Sequence, residues 1–180
     1  MSAMTNDEAR ASAARSYGLQ PLERENIPAS HPVSVFASWY DEFRSGHLLP
    51  DELVLLAQPG VRSLLRWTRH VEPVEIDGLV DFYVISQGDE LEITDGDHIR
   101  EGWMSETLDE EFVESRYHEA ITASILRKPM FSRGAVPSVR RAFIMQYRGV
   151  FPLFAETHSR LRLAIVAAET YVEIHDDDED

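Results

Sequence analysis

Two apolar runs near the C-terminus alternate in the manner of neighbouring strands. In 143–148, Phe143, Met145 and Tyr147 occupy one set of alternate positions, and Ile144, Gln146 and Arg148 the other. In 160–165, Leu161, Leu163 and Ile165 oppose Arg160 and Arg162, the pattern of a half-buried strand. The stretch 151–159 contains Pro152, which has no amide for a central ladder, and ends in the polar run Glu156, Thr157, His158, Ser159. The pattern therefore predicts a hairpin with a modest loop.

Upstream, 1–30 shows little periodicity and reads as a mobile leader. Val33, Phe36, Trp39, Tyr40 and Phe43 then recur at spacings of three and four, predicting an amphipathic helix with an aromatic face, closed at Gly46. Leu49-Pro50-Asp51-Glu52 marks a second helix start, and 59–67 a short helical turn. In 71–76, Pro73 demotes the run to an edge strand, while 79–85 is a β-rich run following the turn at Gly78. The stretch 88–103 holds three glycines and six acidic residues without a steady period, so short helices and turns are expected. From Asp109 onward Val113, Tyr117, Ala120, Ile121 and Ser124 share one helical face until Pro129 stops the helix. The order of elements gives an α+β domain with a single sheet. The division expected is a leader 1–30, a helical extension 31–67, a main domain 68–172 and an acidic tail 173–180.

The aromatic face of the first helix must be covered, either by its own domain or by a second copy of the chain. A homodimer is expected, with Phe36, Trp39, Tyr40 and Phe43 at its interface, since leaving them wet costs several kcal/mol at ~25 cal/mol per Å².

Several local motifs, in this order, resemble the PAS domain family, in particular single-domain bacterial proteins with an N-terminal helix. Phe36-Ala37-Ser38-Trp39-Tyr40 followed by Leu49-Pro50 is similar to an aromatic entry helix with a Leu-Pro stop, and Phe82 to Gly88 to a strand ending in glycine. Gly96 follows at the spacing of the second of two glycines flanking a first short helix. Lys128-Pro129-Met130-Phe131 and Tyr147 to Phe154 resemble the entry and the end of later strands. The chain departs from the pattern at Gly96 to Gly102, where the second glycine is displaced by one, at Lys128, and at Glu156 to Ser159, where glycines are usual. The resemblance implies an antiparallel sheet of about five strands with short helices and one long helix on one face. It implies a sensory or protein-interaction module that sometimes holds a small molecule between the long helix and the sheet. The residues expected there are Phe82, Val84, Tyr117, Ile121, Met145, Tyr147 and Ile165, an apolar set with a few hydroxyls suited to a neutral or weakly polar planar molecule.

Composition narrows the chemistry. The 180 residues suit one domain with extensions, and 43% hydrophobic residues suffice for a core. No apolar run reaches the roughly 20 residues of a membrane helix, and the N-terminus lacks the apolar stretch of a secretory signal, so a cytoplasmic protein is expected. There is no cysteine, which excludes disulfides and thiolate metal sites. Net charge is −15, and only six of the 32 acids lie in the tail, so the field of the domain itself repels nucleic-acid phosphates. The tail reads as a solvated end rather than a metal lure beside His175.

Asp95, Asp97 and Glu106 fall at positions one, three and twelve of a calcium loop, but Ile99 and Arg100 occupy the places of a ligand and the required glycine. His98 and His118 have no second His at helical spacing and read as surface residues rather than haem or metal ligands. There is no Gly-x-Ser-x-Gly elbow and no phosphate-binding glycine loop. The expectation is a non-catalytic regulatory PAS-like domain, with no cofactor or metal required, acting on an unidentified signalling protein. One alternative is a small-molecule carrier or enzyme on a cone-shaped α+β fold, with a buried Asp81 of raised pKa as its base. The other is a purely structural adaptor.

Overall fold

The structure, a computed structural model, describes residues 18–95, 102–137, 143–155 and 159–174. Most of the leader, the Gly96–Glu101 stretch with His98 and Asp97, and the tail from His175 lie outside the described residues. Within them the chain is α+β, built on one open antiparallel sheet of seven strands.

In chain order the strands are β1 (Gln20–Leu22), β2 (Thr68–Ile76), β3 (Leu79–Gln87), β4 (Gly102–Trp103), β5 (Met130–Ala135), β6 (Met145–Ala155) and β7 (Arg160–Glu169). The helices are α1 (Pro32–Phe43), α2 (Glu52–Leu56), α3 (Pro59–Arg62), α4 (Asp89–Asp95), α5 (Met104–Thr107) and α6 (Glu110–Leu126). Short 3-10 turns cover Arg24–Asn26 and Ser63–Trp67. Across the sheet the order is β1-β5-β6-β7-β2-β3-β4, so the C-terminal strand β7 pairs with β2 and closes the main domain on itself.

Both faces of the sheet are covered. On one, Val33, Phe36, Ala37 and Tyr40 of α1 bury against Phe151 and Leu153 of β6 and Ala164 and Val166 of β7, joined by Leu55, Val61 and Leu64. On the other, Ala120 and Ala123 of α6 bury against Val71, Phe82, Val84, Val150, Leu163 and Ile165. Alternate residues of β6 and β7 serve opposite layers, as the period of two requires. The α1 layer is held by more than apolar area. His31 caps α1, its Nδ1 accepting from Val33 N at 3.2 Å, so the ring proton sits on Nε2, 3.1 Å from Glu169 O. Tyr40 Oη donates to Pro152 O at 3.0 Å.

Of the four aromatic side chains expected at a dimer interface, Phe36 and Tyr40 are buried inside the chain, and Trp39 and Phe43 are half-buried. Phe36 and Tyr40 are fully buried, with ring centroids 4.7 and 5.5 Å from Phe151. Trp39 is half-buried against Gly60 of α3 and stacks on Phe43. Burial of a Phe side chain stabilises by roughly 1.5–3 kcal/mol, and the sheet supplies that surface without a second copy. The stretch read as an extension thus forms one of the two layers.

Three further expectations change. Part of the supposed leader is ordered, with Gln20–Leu22 pairing with Arg133–Phe131 on the edge of β5; backbone hydrogen bonding does what its sparse side chains cannot. The second change concerns β2, which is central over Arg69–Val71, where it pairs with both β7 and β3, and an edge beyond, where only β3 remains. Pro73 lies in that edge half, where its missing N–H is not needed. The third is β6, which runs through Pro152 to Ala155. Its pairing with β5 ends at Val150, so Pro152 faces only β7 across the ladder. Phe143, read as the start of that strand, lies before it and is 81% exposed.

Candidate functional site

The space between α6 and the sheet gathers five of the seven residues expected to line a pocket. Phe82, Val84 and Ile165 are buried there, with Tyr117 and Ile121 of α6 against them; the Phe82 and Tyr117 rings meet edge to face at 5.4 Å. Met145 and Tyr147 do not join them. They share their face of β6 with Phe151 and Leu153, which α1 covers; Tyr147 meets His31 at 5.2 Å and lines an open cleft of about 570 Å³ beside Arg24–Ala29. Apolar alternation identified the strand, but with two covered faces it could not say which layer the apolar set serves.

The residues of β6 that do face α6 are Gln146, Arg148 and Val150, and they make that end of the interior polar. Arg148 donates to Glu119 Oε2 from Nη2 at 3.1 Å and from Nε at 3.2 Å, with 2% of Arg148 exposed. Ser132 Oγ donates to Glu119 Oε1, and Arg116 donates to Ala135 O at 2.5 Å. An interior ion pair with its remaining lone pairs satisfied is closed to a weakly polar ligand. The lining under β2, β3 and β7 is hydrocarbon, and under β5 and β6 it is this polar network.

Asp81, the candidate base, lies at the edge of the same layer. Burial alone would raise its pKa, but donors outweigh it: Ser105 Oγ at 2.6 Å, Tyr117 Oη, and Phe82 N at 2.7 Å. Its carboxyl is held below the usual carboxylate range, while burial and the neighbouring Asp81 push the Tyr117 phenol up. A carboxylate bound in this way is a poor proton acceptor, contrary to the raised pKa that the enzyme reading needs. His118 is exposed on α6, and among the described residues no three His, Asp or Glu side chains cluster as a metal site.

A second polar cluster, on the α1 face of the sheet, was not anticipated. Asp51 caps α2, accepting from Leu53 N and Val54 N at 3.0 and 3.2 Å, and this places Glu52 at the first helical position against the sheet. Glu52 is 3% exposed; Arg162 Nη1 donates to its Oε2 at 2.5 Å, and His70 Nδ1 lies 3.2 Å from Oε1. Burial raises its pKa, but the His70 and Arg162 hydrogen bonds outweigh that and hold it below the carboxylate range. Glu52 is therefore an ionised acceptor, and His70 Nδ1 is the donor to its Oε1. Arg162 Nε is 3.6 Å from Glu72, which Arg160 also pairs.

This cluster forms one end of an open cleft of about 520 Å³, within the range of small-molecule sites. Leu53 and Leu56 of α2, Leu65 of the 3-10 turn and Ile85 of β3 give it apolar walls. The ladder skips Ile85, since Val71 faces Val84 and His70 faces Ser86, and this irregularity sets exposed Ser86 beside His70 on the floor. At the far end Gly88 lets β3 turn under the 3-10 turn: a Cβ there would lie 2.1 Å from Leu65 O and 2.4 Å from Arg66 O. Gly88 N donates to Thr68 O at 2.9 Å, and Arg69 Nε donates to Gln87 Oε1 at 2.7 Å.

The signal that could have found this cleft is His70 and Arg162 at strand positions that share a face with Ala164. Both were passed over, Arg162 because alternation assigned it to solvent. No described helix is long and apolar enough to cross a membrane. Compared with protein-family models, with curated proteins and with solved structures, the chain matches none of the three.

Proposed function

We propose that the chain is a non-catalytic regulatory module of the PAS-like kind, acting through contact with a partner protein. The element order supports this reading: a hairpin (β2, β3), short helices, one long helix and a three-stranded meander (β5 to β7) that returns to β2. The observation that carries it is the contrast between a closed interior and exposed apolar side chains. Beneath α6 the sheet and helix side chains are buried and Glu119 is paired with Arg148, yet Leu53 is 72% and Leu79 75% exposed. Each has exposed apolar neighbours, Leu48 and Val54 around α2 and Ile76 and Val80 at the tip of the β2–β3 hairpin. Grouped exposed side chains of this kind mark contact surfaces.

The test is complementation of a deletion strain of the source organism. Leu53→Asp and Leu79→Asp, at positions too exposed to disturb folding, should abolish the protein's effect in at least one case, with melting temperatures unchanged. Asp81→Asn should retain the effect. If Asp81→Asn removes it in a folded protein while both surface variants complement fully, the regulatory reading fails.

A further inference from the structure

We propose that the face of the β2–β3 hairpin turned away from α6 docks a basic amphipathic helix of a partner protein. The inference rests on the regulatory reading and goes further, naming which exposed surface makes the contact and what chemistry the partner brings.

Alternation along the hairpin defines the face. Val71, Phe82 and Val84 point into the layer under α6, so the period of two turns Val74, Ile76, Leu79 and Tyr83 to the other side. Trp103 of β4 opposes Tyr83 and joins them, with ring centroids 5.1 Å apart. On that side α1 and α2 cover β6 and β7 and, through Glu52 on His70, the inner end of β2. Among the described residues the cover stops there: Ile76 is 47%, Leu79 75% and Tyr83 37% exposed. From Leu79 to Tyr83 the strand advances about 13 Å at ~3.3 Å per residue, which roughly two to three turns of helix match. Addition of a strand at the hairpin's edges is opposed, since Pro73 of β2 has no N–H to offer and Phe82 N of β3 already donates to Asp81 Oδ1 at 2.7 Å. The open face is therefore suited to a helix laid across it.

Charge selects the partner. Residues 72–83 hold four acids, Glu72, Glu75, Asp77 and Asp81, and no Lys or Arg. Glu72 is paired by Arg160, and Asp81 is taken by Ser105 and Tyr117. Glu75 and Asp77 stand exposed beside the aliphatic side chains, with no cation paired to them among the described residues. A second copy would bring the same acids and its net charge of −15 to the contact, so the chain repels itself where it attracts Lys and Arg. A helix with a leucine stripe flanked by basic residues satisfies both halves of the surface.

Fluorescence anisotropy of a labelled peptide, titrated with the full chain at physiological salt, tests the inference. The peptide has about 14 residues, all Leu and Lys, with Leu at helical spacings of three and four. One control carries Glu in place of Lys, and another the same residues in scrambled order. The first peptide should bind saturably, one per chain, and both controls about tenfold more weakly or worse. Leu79→Ser, at a position too exposed to disturb folding, should weaken binding about tenfold with an unchanged melting temperature, and Glu75→Gln with Asp77→Asn about threefold. Ile125→Ser removes an aliphatic side chain that is 74% exposed on α6 and should leave binding unaltered. Equal binding of the scrambled peptide, or wild-type affinity in folded Leu79→Ser, overturns the proposal, as does a homodimer in sedimentation that Leu79→Ser dissolves. If no peptide binds while Leu53→Asp abolishes complementation, the regulatory reading stands and this inference alone falls.

Discussion

Removing Arg148 tests whether the interior under α6 is closed. Arg148→Met would leave the buried Glu119 carboxylate with the Ser132 hydroxyl as its remaining side-chain donor among those described above. Breaking a buried pair by deleting one partner costs about 3–5 kcal/mol, because the other charge stays out of water. For a domain of this size that corresponds to a fall in melting temperature of roughly 6–20 °C. Glu119→Leu should cost a comparable amount for the mirror reason. The double variant Glu119→Leu/Arg148→Met should recover most of either loss, since apolar replacement of a whole buried pair is often neutral or stabilising by about 1–4 kcal/mol. The Ser132 hydroxyl left behind offsets this by about 1 kcal/mol. Urea unfolding of the four proteins closes the cycle, with an expected coupling of about 2 kcal/mol or more. Single losses below about 1 kcal/mol, or a double loss equal to the sum of the singles, would mean that water reaches the pair as it does on a surface, and the closed interior would be refuted.

Three further outcomes follow from the geometry. Gly88→Ala should destabilise by about 1–3 kcal/mol in thermal melts, because its Cβ meets the Leu65 and Arg66 carbonyls of rigid backbone; an unchanged melt would contradict the close approach. Burial lowers the His31 pKa, so the unfolded chain takes up a proton first. Stability should fall as pH drops through about 6.5, and His31→Asn, which keeps a capping acceptor, should lose that slope. Glu52 has a depressed folded pKa, so its contribution is complete above the ordinary carboxylate pKa of about 4.3 and is lost as pH falls further; acid unfolding of Glu52→Gln should be flatter there than that of the wild type.

Strand positions were legible from alternation in 145–148 and 160–165, and the long helix from Val113, Tyr117, Ala120 and Ile121, because residues of one period share a layer. Which layer a face serves was not legible, since β6 and β7 are covered on both sides: Met145 and Tyr147 went to α1 and Gln146 and Arg148 to α6. The reach of β6 through Pro152 was misjudged for a related reason, whereas Pro73 lies in an edge segment as expected. A proline interrupts a ladder only on the side where a neighbour exists, and at both positions that neighbour has already ended. The Glu52, His70 and Arg162 cluster joins residues up to 110 positions apart across three elements, and pairing at that range leaves no periodic trace. The burial of Phe36 and Tyr40 was foreseeable as burial, but composition alone could not decide between a sheet of the same chain and a second copy.

The central claim is that this chain works by contact through exposed apolar side chains while its interior is closed. Site-specific photo-crosslinking in cells of the source organism, with a benzophenone amino acid at Leu53 or at Leu79, addresses it directly. The account predicts a discrete adduct with another protein from at least one of these positions, lost when the neighbouring Val54 or Val80 is changed to Asp. No adduct from either position, in a protein shown to be folded and to complement the deletion, would contradict it.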